Sequence, residues 1–80
     1  MSIDTINDMI DKALYRGRAD ANMQTITNAI NAEYALGKCY ALMDIIKMEY
    51  GIDELITTRD RVSKRVDDLM NIVNKAYEGR

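Results

Sequence analysis

From about residue 20 to residue 50 the chain carries apolar or small side chains on two separate lines at helical spacing. A helix with two such lines has to be covered on two sides, which makes it the central element of whatever it folds into. The first line is Ala29, Ala32, Leu36, Cys39, Met43, Ile46 and Tyr50, stepping alternately by three and four in a heptad pattern. The second is Met23, Ile26, Ile30, Tyr34, Gly37, Ala41, Ile45 and Met48. At 1.5 Å per residue such a helix would extend some 45 Å.

Two further helices flank it. Helix one is expected over about residues 3–16, opened by Ser2 or Asp4, either of which offers a side-chain oxygen to an orphan backbone N–H. Ile3, Ile6, Met9, Ile10, Ala13 and Leu14 form its apolar stripe, with Asp4, Asp8, Asp11 and Lys12 on the other side. Arg16 followed by Gly17 reads as a stop: a cation at the negative end of the helix dipole, then a residue free to turn left-handed. Helix three is expected over about residues 53–78, after a corner at Tyr50-Gly51-Ile52-Asp53 in which Gly51 ends helix two, Ile52 packs back on it and Asp53 caps helix three. Its stripe is Leu55, Val62, Val66, Leu69, Val73 and Ala76, widened by Ile56, Met70, Ile72 and Tyr77. So short a corner makes helices two and three antiparallel neighbours. The expected fold is therefore all-α: one domain over residues 1–80, a short N-terminal helix plus a long antiparallel helical hairpin, coiled-coil-like and assembling as an oligomeric bundle.

Composition narrows the means of stabilisation. Eighty residues give a core only just sufficient for one domain. One cysteine, Cys39, forms no internal disulfide, and with no histidine in the chain an ordinary zinc site has no ligand set. No metal or cofactor is expected, and self-association is the remaining support. The start Met1-Ser2-Ile3-Asp4-Thr5, acidic soon after, does not read as a secretory leader, and no apolar run approaches the roughly 18 residues of a membrane span. A cytoplasmic protein without a membrane partner is the expectation, reinforced by the lone thiol.

Four groups of residues are candidates for function. Arg59, Arg61, Lys64 and Arg65 form a basic cluster that either meets an acidic partner or phosphates, or braces helix three through Asp60–Lys64 and Lys64–Asp68 pairs. The formal charge of −2 and the lack of aromatic side chains among these cations make nucleic acid the lesser reading. Arg59 interrupts the stripe of helix three, and either pairs with Asp44 at the edge of the hairpin or faces a second chain. Gly37, with Ala41 one turn on and Ala29, Ala32 and Ala35 before it, makes a strip thin enough for another helix to approach closely, inside the monomer or across a dimer. Cys39 has no histidine to activate it and sits between Leu36 and Met43 as a small buried hydrophobe. Tyr15, Tyr34, Tyr40, Tyr50, Tyr77 and the methionines recur at helical spacing, as core-filling side chains do.

Ile52, Asp53, Leu55, Arg59, Val62, Ser63 and Val66 resemble the long first helix of the all-helical chorismate mutases, which has an Ile-Asp pair followed by an arginine and spaced valines. The resemblance covers fewer than twenty residues. Arg59 comes about a turn too early after Asp53, and the family's later helices, with their lysine and glutamine, have no counterpart here. It implies a mutase-like enzyme as one alternative. No glycine-rich phosphate loop or Glu-x-x-His motif is present, and the acid pairs Asp53-Glu54 and Asp67-Asp68 diverge around their helix.

The residues point instead to a non-enzymatic protein-binding module that self-associates, its interface formed by Met23, Ile26, Ile30, Tyr34, Gly37 and Ala41. Helix one, at about 13 residues or roughly 20 Å, is too short to cover the second line of helix two, so a homodimer in which helix two meets its mate is expected. Such a module suits an inhibitor, adaptor or assembly factor, phage or bacterial, with a small nucleic-acid-associated regulator using the basic cluster as the alternative.

Overall fold

This computed structural model describes residues 2–21 and 26–78, the side chains of residues 19–21 and 26–28 excepted, and three helices account for the described residues. They are α1 (Ile3–Ala21), α2 (Ile26–Tyr50) and α3 (Ile52–Glu78). Ser2 is the residue that caps α1. Its Oγ accepts the Thr5 N–H at 3.2 Å, and its carbonyl accepts the first helical bond, from the Ile6 N–H at 3.1 Å. Asp4 lies inside the first turn, where its charge suits the positive end of the helix dipole.

Gly17 does not stop this helix. It lies inside α1, buried, and the helix runs on through Asp20 and Ala21, which were expected to open helix two. The reason is packing. A Cβ on Gly17 would sit 2.5 Å from Ala35 Cβ and 3.4 Å from Leu69 Cδ1, with the Ala32 backbone at 3.7 Å. The missing side chain is what lets the α1 backbone lie directly on the small residues of α2, and that contact outweighs the roughly 1 kcal/mol a helical glycine costs relative to alanine. Gly37, where the close approach was expected, is exposed, and a Cβ there would meet nothing within 4 Å.

The corner between α2 and α3 is a single residue. Gly51 adopts φ +95°, its N–H bonds to the Lys47 carbonyl at 3.1 Å, and its own carbonyl accepts the Leu55 N–H at 3.3 Å. Gly51 thus closes one helix and opens the next, so α3 starts one residue earlier than Asp53. Asp53 sits in the first turn rather than at the cap, and Ile52 is half exposed instead of packed back. With so tight a corner α2 and α3 run antiparallel. Asn7, Asp11 and Arg18 of α1 meet Thr58, Arg61 and Arg65, and Asp68 of α3 in rising order, so α1 runs parallel to α3 and antiparallel to α2.

The first line of α2 forms the core as far as Ile46: Ala29, Ala32, Leu36, Cys39, Met43 and Ile46 are buried, joined by Ala35 and Leu42, while Tyr50 at the end of the line is exposed. Against them lie Ile6, Ile10 and Leu14 of α1 and Val62, Val66, Leu69 and Val73 of α3. The gap in the α3 stripe between Leu55 and Val62 is filled by Thr58, not Arg59. Thr58 is buried and its hydroxyl donates to Asn7 Oδ1 at 3.4 Å, so its polar atom enters the core with a partner. The resulting rod measures 41 × 17 × 16 Å.

The two glycines therefore respond oppositely to a methyl group. Gly17→Ala should lower the urea unfolding midpoint by the equivalent of about 1–3 kcal/mol, because either α1 or Ala35 must shift. Gly37→Ala should leave the midpoint unchanged or raise it by up to about 1 kcal/mol. A Gly17→Ala protein as stable as the parent would mean that α1 does not seat on α2 as described.

Candidate functional site

The basic cluster does not gather on one open surface. Arg61 Nη1 lies 2.7 Å and Arg65 Nη2 2.8 Å from the same Asp11 Oδ1, one turn apart on α3, so that one carboxylate of α1 receives both. Arg61 Nη2 also donates to Asn7 Oδ1 at 3.0 Å, the atom that accepts from Thr58. Arg18 closes the far end of the same seam on Asp68 at 3.2 Å. Asp11, expected on the solvent side of helix one, instead turns toward α3 and is half-buried. Burial by itself raises the Asp11 pKa, but the hydrogen bonds and charges of Arg61 and Arg65 together outweigh it and hold the carboxyl below its ordinary value of 3.8.

Lys64 is exposed, and among the described residues neither of its expected partners, Asp60 or Asp68, pairs with it. Arg59 points the other way from Arg61 and Arg65. It lines a shallow groove between α2 and α3 with Tyr40, Met43, Ser63, Asp67 and Met70, and among the described residues it forms no ion pair with Asp44. The Tyr40 hydroxyl rests 3.8 Å from Met70 Sδ across that groove. Cys39 is wholly buried, 3.8 Å from Met43 Sδ. Burial pushes its thiol pKa up by more than the charges of Arg65 and Arg61 pull it down, the opposite of what a nucleophile needs.

The second line of α2 faces solvent, directly opposite the core. Tyr34 is 74% exposed, Met48 83% and Ile30 52%. Gly37 and Ala41 between them are exposed as well, leaving a low lane flanked by apolar side chains. Ile45 leans back and packs partly on the core, so Asp44 takes its place on the outward line. Met23 lies outside the described residues. Ile26 belongs to α2 by its backbone, and its side chain lies outside them too. Of the residues that resemble the mutase helix, Val62 and Val66 face the core, Arg59 and Ser63 line the groove, and Asp53 is exposed in the first turn. Among the described residues no three His, Cys, Asp or Glu side chains gather into a metal-holding group, and no helix is long and apolar enough to cross a membrane.

The packing role of Gly17 and the pairing roles of Asn7 and Asp11 were missed by sequence reasoning. A signal existed: Asn7 and Asp11 stand one turn apart at the margin of the α1 stripe, as Arg61 and Arg65 do on α3. Compared with family models, with curated proteins and with solved structures, the chain finds no match.

The clasp at Asp11 carries a pH signature. Its depressed pKa means that the ionised carboxylate is favoured by folding, so its contribution is complete above pH 3.8 and is lost as the pH falls through the folded-state value. Asp11→Asn should lower stability at pH 7, by no more than about 1 kcal/mol because the groups remain some 40% exposed. The difference from the parent should shrink as the pH drops below 3.8 in urea titrations at stepped pH. A gap that stays constant into acid would dissociate the effect from the Asp11 charge.

Proposed function

We propose that this chain is a non-enzymatic helical interaction module that self-associates through the outer face of α2 and binds another protein, as an inhibitor, adaptor or assembly factor does. The observation that carries this reading is the exposed line Ile30, Tyr34, Gly37, Ala41 and Met48, apolar or small except where Asp44 stands between Ala41 and Met48, and lying opposite the core. An apolar line of that length is unfavourable in water, and association is the ordinary way of removing it. A second copy is always available and brings a surface of matching length. The half-exposed Ile52, Ile56 and Met70 on α3, near Arg59, leave further surface for a foreign protein.

The same surface chemistry gives the alternatives less support. Arg61 and Arg65 are both drawn onto the single Asp11 carboxylate, and Arg59 and Lys64 project from different sides of α3, so a phosphate backbone would find no continuous row of cations. The mutase resemblance leaves Arg59 and Ser63 on a shallow groove, where the arrangement excludes little water from a small substrate.

Light scattering at micromolar concentration tests self-association. The parent should show twice the 9.1 kDa chain mass, and Tyr34→Glu should return it to 9.1 kDa with an unchanged helical circular dichroism spectrum. A parent that remains monomeric would overturn the self-association, and a dimer indifferent to Tyr34→Glu would move it off α2.

A further inference from the structure

We infer that the outer faces of two α2 helices pair antiparallel about a two-fold axis at the level of Cys39, with Ile30 against Met48, Tyr34 against Asp44 and Gly37 against Ala41 of the second copy. This register rests on the reading of that face as the self-association surface. Its basis is the set of side chains the face carries. Ile30, Tyr34, Gly37, Ala41, Asp44 and Met48 step by four and three along one side of α2, the spacing that a straight helix-on-helix seam needs.

Asp44 decides the direction. In a parallel pair every residue on the seam meets its own copy, and two Asp44 carboxylates would face each other in a partly dehydrated contact. The antiparallel arrangement takes each Asp44 to the other end of the seam, where the Tyr34 hydroxyl can donate to it. The two large aliphatic side chains of the seam, Ile30 and Met48, then meet at its two ends. Gly37 and Ala41 meet on either side of the axis, where the helices come closest and a bulky residue would hold them apart.

Charge on one flank agrees. Glu33 and Lys47 project from the same edge of α2, exposed, and among the described residues neither forms an ion pair within the chain, nor does Asp44. Antiparallel pairing brings that edge against itself reversed, so Glu33 of each copy approaches Lys47 of the other, and the pair forms twice. The opposite edge brings Lys38 toward its own copy. Its long stem lets the ammonium turn out to water, so the repulsion there is weak.

Disulfide trapping tests the register, since a bond forms only between residues whose Cα atoms approach within about 7 Å. Chains carrying Gly37→Cys and Ala41→Cys are oxidised mildly, each alone and then mixed, one of them extended by a tag. Cys39 is wholly buried and stays out of the reaction. A Cβ at position 37 meets nothing within 4 Å, so that variant keeps its fold. The expected result is a cross-linked heterodimer in the mixture, with each variant alone cross-linking far less. Efficient cross-linking of each variant alone would establish a parallel pair and overturn the proposal. No cross-link in variants that light scattering shows to be dimeric would overturn the register while self-association stood. Variants and parent alike monomeric would overturn the underlying reading itself. Charge reversal supplies an independent arm: Glu33→Lys and Lys47→Glu should each weaken the dimer several-fold, and the double variant should recover most of the loss. Additive losses in the double variant would count against the pairing.

Discussion

At Gly17 the backbone of α1 lies so close to α2 that a single added carbon would stand 2.5 Å from Ala35 Cβ, and the seating of α1 on the hairpin depends on that approach. With α1 held there, its apolar stripe covers the α2–α3 hairpin from one side, and Asn7 and Asp11 come within reach of Thr58, Arg61 and Arg65. The contact also extends α1. A helix that stopped at Arg16 would leave Gly17 without its packing role and Arg18 without its helical position opposite Asp68. One small residue therefore fixes both the length of α1 and the fate of two cations on α3.

Periodicity made most of the architecture legible. The α1 stripe, the heptad line of α2 and the α3 valines all follow from repeating apolar positions, and the hairpin follows from the short corner at Gly51. Gly17 and Gly37 invert their sequence expectations because the same residue serves opposite ends. A glycine after an arginine has the local signature of a helix stop, and a glycine among alanines has that of a close approach. Only the neighbouring helix decides between them, and its position is non-local information. Thr58 illustrates the same limit. A threonine looks polar in a list of apolar positions, yet with Asn7 to accept its proton it fills the core better than the arginine beside it.

The candidate site was legible in part, and for a definite reason. Two lines on α2 are visible in sequence, but which is core depends on the side that α1 and α3 occupy. The heptad line won. Met43, Leu36 and Ile46 present more shape to pack against than a line thinned by Gly37 and Ala41. The basic cluster was misleading because side-chain direction around a helix separates residues that adjoin in sequence. Arg61 and Arg65 turn toward α1, Lys64 toward water and Arg59 toward the α2–α3 groove. A cluster of charge in sequence is a property of the chain. A patch is a property of the surface, and the fold dismantles this one.

Among the described residues unpaired charges remain on α3 as well, at Arg59 and Lys64, but on the outer face of α2 symmetry changes how strongly Glu33, Asp44 and Lys47 act. In a two-fold pair each contact occurs twice, so a pairing of Glu33 with Lys47 too weak to matter alone contributes at both ends of the seam, as do Ile30 with Met48 and Tyr34 with Asp44. Removing one side chain deletes two contacts, and adding one like charge opposes two. A face with only a few large apolar residues and a few exposed charges can thus be selective for its own copy without a deep pocket or a buried ion pair. The monomer supplies the rigidity that such a face needs, because the line on α2 is mounted on a core whose other half is closed by α1 and α3.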